Sequence, residues 1–195
     1  MNKIVDKNLI KVFTILFLFQ SFVLMDDYSN IQNTLKFSVS KDRGIYYAGE
    51  NLYLDFKITI DKGYHIYSTH PENSLSPTAV EITDSTLFSQ IGILKEPIPN
   101  KKYDKNFNQD IYYHKGEFAL RQELKLSETL KPGFYDTQGI LLSYVCDISK
   151  CIPRWDEFNF SFEITEGSTR LEYDSKLSLD YKDIPQIQLL ERFHF

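Results

Sequence analysis

The feature that most constrains the fold is the segment NLYLDFKITI at residues 51–60, where Leu52, Leu54, Phe56, Ile58 and Ile60 recur at every second position. A period of two places such side chains on one face of an extended strand, whereas a helix would scatter them around its axis. The pattern returns in Phe118, Leu120, Gln122, Leu124 and Leu126, with one polar exception, and again in Phe158, Phe160, Phe162 and Ile164. Shorter runs at 35–39, 64–67, 79–82, 111–114 and 140–145 also read as strands. Turn signals separate them: AGEN at 48–51, DKG at 61–63, HKG at 114–116 and KPG at 131–133. Gly and Asn tolerate positive φ, and Pro pre-sets the φ of a turn. Roughly eight short strands with turns between them predict an all-β fold, a sandwich or barrel.

Composition narrows the function class. The high aromatic share, 15% with 15 Phe and 13 Tyr, suits strands. A formal net charge of -5 with no basic stripe argues against nucleic-acid binding. The 195 residues suit one domain plus tails.

Residues 1–25 are a different kind of segment. Lys3, Lys7 and Lys11 precede an apolar run from Val12 to Met25 that is broken only by Thr14, Gln20 and Ser21. A basic start followed by a short apolar stretch is the pattern of a secretory signal. No small-x-small cleavage motif follows it, so an uncleaved N-terminal anchor also fits. Either reading places the remainder outside the cytoplasm, periplasmic or otherwise exported. Residues 26–34 read as a linker, 35–165 as the folded domain and 166–195 as a tail of unassigned role. Residues 95–110, with two prolines and Phe107 near the end, read as a long polar loop of a length that is often functional.

Export bears on the chain's two cysteines, because oxidising compartments let disulfides persist. Cys146 and Cys151 are separated by Asp147, Ile148, Ser149 and Lys150. If 147–150 form a hairpin loop, the cysteines oppose each other at about 4.5 to 5.5 Å between Cα atoms, a separation a disulfide can span. As a structural staple such a bond closes a loop of about six residues and contributes roughly 2 kcal/mol in the chain-entropy model. A strained, exposed local disulfide is instead the labile kind used in exchange. Lys150 and Arg154 flank Cys151, whereas Asp147 adjoins Cys146. Cations favour a thiolate and a carboxylate disfavours one, which makes Cys151 the expected reactive sulfur and Cys146 the resolving one.

The run SYVCDISKCIPRWDEFNFSFEI resembles the active-site hairpin of the N-terminal domain of DsbD, the membrane thiol:disulfide reductase. GYHIYS at 63–68, SPTAVEI at 76–82 and YDKNFNQDIYYHKGEFALRQELKL at 103–126 resemble that family's aromatic strand, the strand after it and its loop-then-hairpin segment. Together these cover roughly 35–165. The resemblance implies an immunoglobulin-like β-sandwich whose cysteine pair relays electrons from a thioredoxin-like domain to periplasmic oxidoreductases, including proteins serving cytochrome c maturation. It implies that Cys151 is the cysteine exchanged with partners, that Phe107 in a cap loop shields the disulfide, and that Asp104 is the acidic residue near it. No cofactor beyond the cysteines is implied. The membrane section and the thioredoxin-like C-terminal domain of full-length DsbD are not in this chain, so another polypeptide, such as a separate membrane electron donor, is expected to supply the reducing equivalents.

Three other readings compete. A non-enzymatic binding module would hold an inert hairpin disulfide. A metal site would need histidines near the cysteines, but His65, His70, His114 and His194 lack ligand spacing. A hydrolase would need an elbow or an identifiable base, and neither is present. Tyr144, two residues before Cys146, reads as packing, and Trp155 as either a partner-facing aromatic or an edge filler.

Overall fold

The computed structural model describes residues 33–74, 76–105 and 108–170. Among these residues eleven strands occur in chain order: β1 Leu35–Lys41, β2 Ile45–Tyr46, β3 Asn51–Ile60, β4 His65–Tyr67, β5 Ala79–Ile82, β6 Phe88–Lys95, β7 Asn100–Asp104, β8 Gln109–His114, β9 Glu117–Leu126, β10 Gly133–Cys146 and β11 Cys151–Ile164. A short 3-10 turn at Pro71–Asn73 is the one helical element among the described residues.

The strands form two sheets, ordered β1-β3-β9-β6 and β2-β11-β10-β4-β8-β7, with β5 also paired to β10. The alternating residues of the sequence make the interior: Leu52, Leu54, Phe56, Ile58, Leu120 and Leu124 on one sheet, Leu141, Phe158 and Phe162 on the other, all buried. Aromatic rings join the layers. Phe56 of β3 meets Phe158 of β11 edge-on at 5.1 Å, and Phe88 of β6 stacks on Phe160 of β11 at 5.9 Å. Such pairs add specific geometry to burial. The fold is an all-β sandwich of the immunoglobulin-like kind. Gln122, the polar exception in the alternation, stays buried because its amide donates to the Glu123 carbonyl.

Two elements differ from the sequence reading. The stretch 95–110 is not a loop throughout, since β7 occupies 100–104 and pairs with β8. It carries no alternation because four of its five residues are exposed. Pairing to β8 holds it, with Lys101 bound to Asp110 at 2.7 Å and Lys102 over the Tyr113 ring. β6 escaped notice because its register against β9 shifts between Ile91 and Lys95, where Gly92 takes a positive φ. A bulge of this kind interrupts the period of two.

Ordered packing runs on past β11. Thr165 donates from its N–H to the Tyr46 carbonyl, and the Arg170 guanidinium grips buried Glu50 at 2.7 Å. Burial alone would raise the Glu50 carboxyl, but hydrogen bonds from Arg170, Tyr47 and Arg43 outweigh it and lower it to about 2.

Candidate redox hairpin

β10 and β11 form one antiparallel hairpin whose last pair is Cys146 opposite Cys151. The turn between them is built by Asp147. Its Oδ1 accepts the Ser149 N–H at 2.6 Å, the Ser149 hydroxyl at 2.8 Å and the Lys150 N–H at 2.9 Å. These bonds, the Ser149 N–H foremost, hold the Asp147 carboxyl below the usual carboxylate range. Its backbone N–H closes the turn on the Lys150 carbonyl at 2.9 Å. An Asp that bonds the backbone two and three residues on is a standard turn device. With the turn set, the two cysteines are 4.0 Å apart at Cα and disulfide-bonded.

Register decides what surrounds the bond, because residues paired across strands share a face. Val145 pairs with Ile66 and with Ile152, and Val145 and Ile66 point into the sandwich. Cys146 pairs with His65 as well as Cys151, so all three lie on the outer face of the larger sheet. Tyr67 opposes Tyr113, Tyr113 opposes Asn100, and Lys102 opposes Ile111, which brings the same face of β4, β8 and β7 alongside. Outside the sandwich core, a small second cluster thus forms from Tyr67, Ile111 and Cys146, with Tyr144 packed against it.

The two sulfurs have unlike surroundings. Cys146 is 1% exposed, while Cys151 is exposed to solvent. The Tyr67 hydroxyl oxygen lies 3.5 Å from the Cys151 sulfur. Burial, reinforced by the Asp104 charge, pushes the Tyr67 phenol up, so it stays protonated and able to donate. A cavity of about 260 Å³ over the pair is lined by His65, Tyr67, Lys102, Asp104, Ile111 and the turn. Burial, then the Lys102 charge, pushes His65 down to about 4, against the opposing pull of Asp147 and Asp104. His65 is therefore a neutral imidazole near pH 7.

β4 is braced from behind. Glu96, itself buried, accepts the Ser68 hydroxyl at 2.6 Å, the Thr69 N–H at 2.7 Å and His114 Nε2 at 2.9 Å. Burial would raise this carboxyl, but the bonds from His114, Ser68 and Thr69 hold it below its ordinary value. The network ties the end of β4, and with it Tyr67, to β8.

Of the residues singled out from sequence, Cys146, Cys151, Asp147, Lys150 and Asp104 meet around this cavity. Arg154 does not. It bonds Asp156 at 2.5 Å and the Leu35 carbonyl at 3.3 Å, on the opposite face of β11 from Cys151. Phe107 and His194 lie outside the described residues. His70 pairs with Glu72 at 3.2 Å and His114 with Glu96, both away from the cysteines. Trp155 is 61% exposed and shares the strand face of Cys151. Sequence reasoning missed His65, Tyr67 and Lys102. The signal for the first two was GYHIYS, whose alternate residues His65 and Tyr67 share one face of a strand.

A two-layer β-sandwich whose hairpin disulfide has one buried and one accessible sulfur is the form of a thiol–disulfide exchange domain. The chain belongs to the family described as thiol:disulfide interchange protein DsbD, N-terminal, whose model matches residues 36–161. Among solved structures, the reduced DsbD N-terminal domain of Neisseria meningitidis is 14% identical, with 66% of this chain and 90% of that one covered and a TM-score of 0.37. The complex of the DsbD and PilB N-terminal domains from the same organism gives 13% identity, 71% and 88% coverage and a TM-score of 0.38. A family 123 glycoside hydrolase from Clostridium perfringens gives 12%, 68% and 27%, with a TM-score of 0.35. Family membership rests on the family match, since overlaps at this level add no weight. No curated protein matches the chain.

Proposed function

We propose that the Cys146–Cys151 disulfide is redox-active and that the domain exchanges electrons with thioredoxin-like partners outside the cytoplasm. The observation that carries this reading is the asymmetry of the two sulfurs. Cys151 is exposed beside the Tyr67 hydroxyl, and Cys146 is enclosed by Tyr67 and Ile111. A partner thiolate can reach Cys151 and not Cys146. Attack there forms a mixed disulfide and expels Cys146, and in the reverse direction Cys146 resolves the mixed disulfide. Lys150 and Lys102 line the same cavity and act toward a thiolate there, while Asp147 and Asp104 act against it. Asp104, in the same cavity, is the acidic neighbour, and Phe107 is assigned the shielding role on the family resemblance. The chemistry draws on the two cysteines alone. No helix among the described residues is long and apolar enough to cross a membrane, and a separate donor is proposed to deliver the electrons.

Trapping tests the assignment. With Cys146→Ser, an exposed Cys151 should accumulate covalent adducts with exported oxidoreductases that dithiothreitol releases. With Cys151→Ser, the buried Cys146 should yield few. Equal trapping by both variants, or none by either, removes the proposed division of labour.

A further inference from the structure

Among the described residues β11 leaves the larger sheet a long open edge, and the hydrogen bonds along β11 fix which backbone groups face it. β11 pairs with β10 over its whole length, but on its other side, among the described residues, Glu163 and Ile164 alone have strand partners, in β2. The Asp147 N–H to Lys150 carbonyl bond makes 147/150 a hydrogen-bonded pair. Such pairs alternate with non-hydrogen-bonded ones in an antiparallel ladder. The pairs 146/151, 144/153 and 142/155 are therefore of the second kind. Pro153 agrees, because a residue without an N–H is tolerated in a strand where that position faces an edge.

It follows that the N–H and C=O groups of Cys151 and Trp155, and the C=O of Pro153, point away from β10 toward the open edge. The far end of the strand keeps the same parity. The Ser161 carbonyl accepts from Lys41, the Glu163 N–H donates to the Gly44 carbonyl and the Thr165 N–H to the Tyr46 carbonyl. At the disulfide end, no strand among the described residues pairs with this edge between Cys151 and Phe162. An unpaired row of donors and acceptors is a template for another chain.

We propose that the redox partner binds by strand addition, laying an extended backbone segment that carries or adjoins its reactive cysteine along the edge from Cys151 to Trp155. This rests on the exchange reading above and adds how the partner is held. Backbone pairing of this type supplies affinity without demanding a particular sequence. The exposed Trp155 side chain stands over the end of the added strand. The arrangement also directs the chemistry. Neighbouring strands lie about 4.8 Å apart, with Cys146 on one side of Cys151 and the added strand on the other. The partner's thiolate reaches the Cys151 sulfur from the side away from Cys146, in line with the bond that breaks. The partner–Cys151 bond forms, the Cys146–Cys151 bond breaks, and its electron pair leaves on the Cys146 sulfur, which takes a proton from solvent. A second partner thiol then attacks the partner's own sulfur in the mixed disulfide and releases Cys151. The partner ends oxidised by two electrons and the pair reduced.

The test uses the full wild-type chain and two synthetic peptide dithiols of six residues, identical except that one is N-methylated on the residues flanking its first cysteine. Reduction of the pair is followed by mass after alkylation, with dithiothreitol as the small-molecule reference. The unmodified peptide should reduce the pair about tenfold faster than its N-methylated twin, the effect of one or two backbone hydrogen bonds. In Cys146→Ser, a mixed disulfide with the unmodified peptide should slow amide exchange at Cys151 and Trp155 about tenfold relative to a 2-mercaptoethanol adduct. Equal rates for the two peptides, or equal amide exchange in the two adducts, overturns strand addition while leaving exchange chemistry intact. If neither the peptides nor dithiothreitol reduce the pair, the exchange reading itself fails and strand addition falls with it.

Discussion

The Tyr67 hydroxyl stands 3.5 Å from the Cys151 sulfur, on the strand that also carries His65 opposite Cys146. A hydroxyl placed there can donate to a Cys151 thiolate, and hydrogen bonds to charged groups contribute about 1.5 to 3 kcal/mol. Tyr67→Phe should therefore slow reduction of a small disulfide by the reduced domain at pH 7, by roughly four- to twentyfold once the higher nucleophilicity of a less stabilised thiolate is counted, with little effect on the fold. Stopped-flow kinetics with a chromogenic disulfide reads this directly, and an unchanged rate would remove Tyr67 from the mechanism.

His65 gives the domain a pH-dependent stability. Its folded pKa, about 4, lies below its unfolded value of 6.5. Between those values the unfolded chain binds a proton that the native state does not, so stability rises with pH across the window. The contribution is fully present above about pH 6.5 and is lost as the pH falls toward 4. The gap between 6.5 and about 4 sets an upper bound of roughly 3.5 kcal/mol, at about 1.4 kcal/mol per unit, and solvent screening of the ring lowers it. Urea unfolding at pH 7 and pH 5 should show a smaller difference for His65→Phe than for the parent. Equal differences would mean that His65 is not held neutral by burial.

Much of this was legible in the sequence because burial imposes a period. β3, β9 and β11 each bury one face against the opposite sheet, and their alternation shows in Leu52 to Ile60, Phe118 to Leu126 and Phe158 to Ile164. The short spacing of Cys146 and Cys151 around a turn was likewise enough to predict that they oppose each other. β7 left no trace, because an exposed strand has no face to bury, and β6 was hidden by its bulge. The surroundings of the disulfide were harder for a different reason. His65, Tyr67 and Lys102 come from β4 and β7, 44 or more positions from Cys146 in the chain, and only strand register places them on one face. Arg154 shows the converse: three residues from Cys151 in sequence, it faces the other way.

Asp147 closes the hairpin that holds the thiols together. Asp147→Ala removes three acceptor contacts from the turn and should weaken disulfide closure by about 1 kcal/mol, the scale of a single hydrogen bond. That corresponds to a reduction potential less negative by roughly 20 mV. A glutathione titration of parent and variant side by side checks the shift, and a more negative potential in the variant would contradict the role given to the turn.

The family resemblance alone is the basis for proposing that Phe107 shields the disulfide. Phe107→Ala should accelerate reduction by a small, non-specific thiol while leaving the equilibrium potential in place. Unchanged kinetics would remove Phe107 from the account and leave the second cluster of Tyr67, Ile111 and Tyr144 as the cover on Cys146.

The central claim, that Cys146–Cys151 is a working redox couple, is tested most directly by its equilibrium potential. The pair is equilibrated across a glutathione redox series and its oxidised fraction read by mass after thiol alkylation. The account predicts a value among those of disulfide-exchange proteins, roughly -120 to -270 mV. A value well below about -300 mV would make the bond a structural staple and the protein a binding module.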